Sequence, residues 1–459
     1  MKPSDYATPP AAHNAANAAR IAAGRLLRQR APRSAHGRWR AAAKGRDVVA
    51  LLEESNTGRI AELLPIRYGR MLASPFAFLR GAAGVMAFDL AATPVSGLRV
   101  QAGGDCHLMN FGEFGTPERN LIFDINDFDE TLAGPWEWDI KRLAASVMVA
   151  ARSRHFPERN CQELVHATVA AYRDKMAEFA HMSPLQRWYA RINAQDLVEL
   201  GRTSDIRRER ASQAAQARAQ TNERLLHKST VVVAGRRRIQ DNPPLVYHPT
   251  RAPGFDNEMR AFFQHYRHSL QNDRRLLLDQ YELVDVAMKV VGVGSVGTRC
   301  AVALFMADGC DPLFLQFKEA RASVLEPYHG KSPYEQAGQR IVEGQRLMQS
   351  SSDIFLGWAR DADSGIDYYI RQLRDMKSSI DIASIELPEL IDYAGFCAWA
   401  LARAHAKSGH PASILGYLGQ NDGFERALGN FARAYADQTE ADHAALKRAV
   451  ASGRLAAAI

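Results

Sequence analysis

Lys289-Val-Val-Gly292-Val-Gly294-Ser295-Val-Gly297-Thr-Arg-Cys300-Ala-Val-Ala-Leu-Phe305, followed by Pro312-Leu-Phe-Leu-Gln-Phe-Lys318-Glu319, admits two readings with different folds. Read as strand, glycine turn, strand and a third strand ending in Lys318, it is an antiparallel unit. Its backbone N–H groups would cover phosphates, and its ammonium would face them. Read as a strand entering a helix, it is the dinucleotide pattern G-x-G-x-x-G, for which NADP is the fitting cofactor because a basic Lys318 stands where the ribose-binding acid is expected. The stretch Cys300 to Phe305 is rich in β-formers, which favours the strand. The plain alternative is a glycine hairpin carrying a surface lysine.

Outward toward the N-terminus lie Gly104-Asp105-Cys106-His107-Leu-Met-Asn110 and Phe123-Asp124-Ile-Asn126-Asp127-Phe-Asp129-Glu130. Magnesium takes oxygen ligands, commonly one or two carboxylates or amides with phosphate oxygens and water. Phosphoryl transfer from a nucleotide uses one Asp to orient the attacking hydroxyl, an Asn to hold metal, and a second Asp to bridge metal and phosphates. Asp105, Asn110 and Asp127 fit these roles in order, with Asp124 and Asp129 as rivals for the third. The run Asn120 to Asp124 reads as a short strand delivering the acids. Asp and Asn also build turns through local hydrogen bonds. Four clustered carboxylates nevertheless repel one another unless a cation or a basic side chain sits among them. His107 is a candidate catalytic group or a brace for its loop.

The Gly104 to Asn110 segment resembles the catalytic loop of the aminoglycoside phosphotransferase and choline kinase branch of the protein-kinase-like superfamily, and Ile125 to Phe128 resembles its metal-binding segment. Trp136-Glu-Trp-Asp139 is similar to the segment after that metal site, where an Asp braces the catalytic loop. The runs Pro65 to Met71 and Arg80 to Ala83, both acidic motifs, and Gly338 to Arg346 resemble the bacterial family called domain of unknown function 2252, from about Arg38 onward. The resemblance to the kinase-like proteins implies an α+β, two-lobed fold with a predominantly helical large lobe, and ATP and Mg²⁺ as cofactors. Gly292, Gly294, Ser295, Gly297 and Lys318 would hold the nucleotide, with Glu343 or Glu335 pairing Lys318. Because the cradle follows the catalytic loop, the order implies circular permutation, which surface-located termini tolerate. The expected division is a basic, partly disordered tail (1–46), a large lobe (47–280), a small β-rich lobe (281–375) and a helical return (376–459). The expected activity is phosphotransfer to a hydroxyl acceptor; nucleotide binding without transfer is the weaker form.

With 459 residues and 46% apolar content the chain can bury large cores. It has no apolar run long enough to span a bilayer, no signal-peptide pattern, and five scattered cysteines, which suit a reducing compartment; the cytoplasm is the expected location. Net charge is +7, yet residues 1–46 carry ten basic residues against Asp5, leaving the body near −2. A helix is expected over 18–30. Residues 202–238 form a second basic stretch, expected as a helix over 207–228 and a hairpin over 230–239. Nucleic acid is a possible partner for such stretches, although no zinc, aromatic-interleaved or helix-turn-helix pattern accompanies them.

Overall fold

The computed structural model describes residues 11–42, 45–201, 204–249, 255–373, 376 and 380–458. It is an α+β fold of helices and antiparallel sheets. The strands in chain order are β1 (Arg99–Ala102), β2 (Phe111–Gly115), β3 (Leu121–Ile125), β4 (Leu132–Pro135), β5 (Ile192–Asn193), β6 (Thr230–Val233), β7 (Arg236–Ile239), β8 (Val246–Tyr247), β9 (Glu282–Lys289), β10 (Cys300–Ala307), β11 (Asp311–Ala320), β12 (Gly357–Arg360) and β13 (Asp367–Gln372).

Six of these strands make one sheet in the order β12-β13-β11-β10-β9-β8. β9 and β10 are antiparallel neighbours, with Ala301 opposite Met288. The glycine segment is therefore a strand connection, and the strand-to-helix turn that a dinucleotide site needs does not form there. Alternation along the strands sorts the two faces. Ala303, Phe305, Leu313, Leu315, Phe317 and Ile370 pack beneath Phe262 and Tyr266 of the helix Phe255–His268. The opposite face carries Gln316 and Lys318 on β11, paired across to Arg371 and Tyr369 on β13. A period of two thus places a polar row on the side away from that aromatic cluster.

The helical body is organised around Trp136–Ser153, whose residues Ile140, Leu143 to Ala145 and Val147 to Ala151 are all buried. The helix is buried nearly all round, charged residues of its first turns included, and Glu158–His181, Leu387–Ser408 and Gly423–Ala451 enclose it. That last helix is one continuous element of 29 residues. The segment 184–199 is two short helices separated by β5.

The helix expected over 18–30 begins at Ala11 and runs to Arg30; residues 1–10 of the tail lie outside the described residues. It crosses Pro411–Leu418 so closely that a Cβ on Gly24 would sit 2.0 Å from the Ser413 carbonyl oxygen. Arg28 donates to the carbonyls of Tyr417 (2.8 Å) and Gly416 (2.5 Å). Part of the tail's charge therefore caps a helix C-terminus, as cations commonly do. The basic stretch divides into helices Ser204–Arg218 and Asn222–Ser229, then the β6–β7 hairpin; Arg202 lies outside the described residues. Among the described residues no helix is long and apolar enough to cross a membrane.

Candidate functional site

Between the polar face of the six-stranded sheet and the acidic loop after β3 lies a cleft of about 990 Å³. Lys318 is 3% exposed and forms a short ion pair with Asp129, its ammonium also lying 3.9 Å from Asp127 Oδ2. The lysine and the acidic strand end, 189 residues apart in sequence, do face each other. Asp129 also accepts from the Tyr369 hydroxyl at 2.8 Å and the Ser295 hydroxyl at 3.3 Å. Burial alone would lower the lysine's pKa, but Asp127 and Asp129 hold it well above the ordinary value. Burial would likewise raise Asp129, and Lys318 with Tyr369 keeps it below the ordinary carboxylate value.

The loop after β1 is built from the central helix. Asp139 accepts the N–H groups of Gly103 (2.7 Å) and Gly104 (2.9 Å) and faces His405 Nε2 at 3.1 Å; Tyr172 holds the other ring nitrogen at 2.8 Å. Gly104 has φ +79°, and a Cβ there would lie 2.5 Å from the Glu130 carbonyl oxygen, so glycine is required. One turn beyond Asp139, Arg142 donates through Nε (2.8 Å) and Nη2 (2.5 Å) to Asp105 Oδ1. Burial pushes Asp105 up to about 6 against the pull of Arg142. His107 Nε2 lies 3.6 Å from Asp105 Oδ2, and its Nδ1 has no partner among the described residues. Burial first, then Arg142 and Arg80, holds the ring far below the ordinary histidine pKa, so it is neutral. Asn110 donates to the Asp105 carbonyl at 2.7 Å, bracing the loop.

Three expectations need correction. Asp124 is fully buried and receives Arg403 Nη2 at 2.7 Å on both oxygens, with the Ser350 N–H at 2.9 Å and its hydroxyl at 3.0 Å; it is a core ion pair, not a metal ligand. Glu343 pairs with Arg346 at 3.0 Å, and the Lys318 partners are Asp129 and Asp127 instead. Finally, no group of three or more His, Cys, Asp or Glu among the described residues is placed to hold a metal ion. Arg403 neutralises Asp124 and Lys318 neutralises Asp129, which leaves Asp127 without companion ligands; the expected Mg²⁺ set of Asn110, Asp124 and Asp127 is not assembled. The kinase-like ATP and Mg²⁺ site is corrected accordingly.

The glycine segment serves both walls. Gly292 and Ser295 line the cleft, and the Gly292 carbonyl accepts from Arg70. Gly294 lies over the Arg80 carbonyl, where a Cβ would be 3.4 Å away. Gly297 accepts the Ile60 N–H at 2.8 Å and so belongs to the anchoring of the segment. Arg67 is buried against Asn56 (2.6 Å) and the Gly81 carbonyl (2.9 Å), a structural role.

Several residues of the cleft escaped the sequence reading. Arg371 donates to Gln316 and to the Asn126 carbonyl, both at 3.2 Å. Among the described residues seven glutamines line the cleft, including Gln213, Gln216 and Gln220 from one segment and Gln345 and Gln349 from another. Gln213 and Gln216, three apart on the helix Ser204–Arg218, share a face, and Gln345 stands one turn before Gln349, which follows the end of its helix. Arg340 fastens the acidic loop through the carbonyls of Thr131 and Asp129.

No curated protein and no solved structure matches the chain. A family model covers residues 59–449. The cleft, the loop gripped by Asp139 and Arg142, and the helix bearing Arg340 all fall within that span, and the chain belongs to the family described as uncharacterized protein conserved in bacteria (DUF2252).

Proposed function

We propose that the cleft binds a small, polar, anionic molecule bearing hydroxyl or amide groups, with Asp127 accepting a hydrogen bond from a ligand hydroxyl. The make-up of the lining carries this reading. Arg70, Arg119, Lys289, Lys318 and Arg371 stand against three carboxylates, Asp127, Asp353 and Asp381. Asp353 is occupied by the Phe355 and Gln372 N–H groups, and Asp381 by the Ala383 N–H and the Ser384 hydroxyl. Asp127 lines the cleft, its Oδ1 accepting the Asp129 N–H at 3.2 Å and its Oδ2 lying 3.9 Å from the Lys318 ammonium, beyond hydrogen-bond distance. Small-molecule sites are usually apolar with a few polar groups. In a cleft lined by glutamines and cations, an apolar occupant would displace water from polar groups and offer no hydrogen bond in its place. A sugar or polyol carrying phosphate or carboxylate offers hydroxyls to the amides and an anion to the positively charged lining.

A thermal-shift panel of phosphorylated and carboxylated sugars and polyols, run beside their neutral parents, tests the proposal. Ligand at ten times its Kd adds about 1.4 kcal/mol, which for a chain of this length is a rise of roughly 1–2 °C. The rise is expected from the anions and not the neutral parents, and is expected to shrink in Lys289→Ala. Stabilisation by apolar compounds alone rejects the reading.

A further inference from the structure

We propose that the β6–β7 hairpin is an arm that lodges in the headgroup layer of an anionic membrane. The two strands form a sheet of their own. Their base is fixed: Ile239 is buried, its N–H donates to Asp285 at 2.8 Å, and the Gln240 N–H donates to the Ser229 carbonyl at 2.9 Å. Beyond that base the chain stands in solvent. Val231, Val232 and Val233 are 38%, 62% and 50% exposed, and the exposed run continues through Ala234, Gly235 and Arg236. Ala234 and Gly235 make the tight turn with φ of +51° and +75°, the pattern of a two-residue hairpin loop.

Register decides what the arm suits. Val231 faces Arg238, Val232 faces Arg237 and Val233 faces Arg236. Alternation therefore puts Val231, Val233, Arg236 and Arg238 on one face, and Val232 with Arg237 on the other. Arg237 donates to the Thr230 hydroxyl at 3.1 Å and Arg238 lies 3.7 Å from Asp241, while neither Arg236 nor Arg237 meets a carboxylate among the described residues. The helix Asn222–Ser229, which runs directly into β6, adds exposed Arg224 and Lys228.

Apolar residues on both faces of a narrow ribbon are removed from water together only by a medium that surrounds the ribbon. The bilayer interface does so, while arginines extend their stems along the apolar layer and keep their guanidinium groups at the phosphates. A nucleic-acid groove would take the arginines but would set valines against polar base edges, and the hairpin offers no aromatic ring for stacking. Its open strand edges keep the arm at the interface rather than in the hydrocarbon.

Sedimentation of the full-length protein with phosphatidylserine-rich vesicles and with phosphatidylcholine vesicles, alongside a duplex-DNA binding assay, tests this. Binding is expected to the anionic vesicles only. Replacing Arg236, Arg237 and Arg238 with Gln is expected to weaken it roughly 100-fold. Changing Val231, Val232 and Val233 to Thr keeps charge and strand propensity, and is expected to weaken it by about tenfold. No vesicle binding, DNA binding without vesicle binding, or vesicle binding indifferent to the valines each overturns the proposal.

Discussion

Replacing Arg403 with Met removes the partner of a carboxylate that has no access to water. Arg403 is 1% exposed and Asp124 0%, and one guanidinium nitrogen supplies two 2.7 Å bonds to the acid and a third to the Met348 carbonyl. Ser350 continues to donate its N–H and hydroxyl, yet neither brings charge. Breaking a buried pair from one side costs about 3–5 kcal/mol, whereas exchanging both partners for apolar groups is often near neutral. For a chain of 459 residues, an unfolding entropy of about 2.1 cal/mol/K per residue makes each kcal/mol worth roughly 1 °C. Arg403→Met is therefore expected to lower Tm by about 3–5 °C, Asp124→Leu by a similar amount, and the double variant by clearly less than their sum. Urea unfolding followed by circular dichroism, with calorimetry, supplies the cycle. An Arg403→Met protein within about 1 kcal/mol of the parent, or additive single effects, would refute the assignment of Asp124 to the core.

Gly104→Ala forces a side chain into φ +79° with its Cβ 2.5 Å from a carbonyl oxygen; a loss of at least about 2 kcal/mol in urea unfolding is expected. Lys318→Met leaves Asp129 charged and unpaired, so about 2–4 kcal/mol is lost at neutral pH. Acid protonates the stranded carboxylate, and the gap to the parent should narrow as pH falls from 7 to 4; a constant gap refutes the pairing. Burial lifts Glu130 to about 7 against the Val324 N–H, which donates at 2.8 Å. Because the folded state holds that proton more tightly than the unfolded chain, Glu130 costs nothing below its ordinary pKa, and stability falls as pH rises toward 7. Glu130→Gln escapes this, so relative to the parent it should gain about 2 kcal/mol between pH 5 and pH 8, after discounting for partial exposure.

Much of this was legible because it is local. The β-formers of Cys300 to Phe305 and the glycines before them specified an antiparallel connection, and the Asp139 brace lay at the start of a recognisable helix. Pairing across long separations was not. Asp124 and Asp127 look equivalent in the sequence, and all five residues of β3 are buried, so alternation cannot say which acid turns inward. What decides is Arg403, 279 positions away. Glu343 was chosen for Lys318 by its place on the next helix, and the nearer competitor was the acid loop itself. The glutamines carry no charge, and the chemical character of the cleft emerges only where four separate segments, 213–220, 316, 345–349 and 372, meet.

Asp139 and Arg142 hold the Gly103–Asp105 loop from a helix with almost no solvent contact. The loop has no independent softness: its position is set by whatever the surrounding helices do. Substitutions deep in the bundle, far from the cleft, should therefore register as misplacement of Asp105.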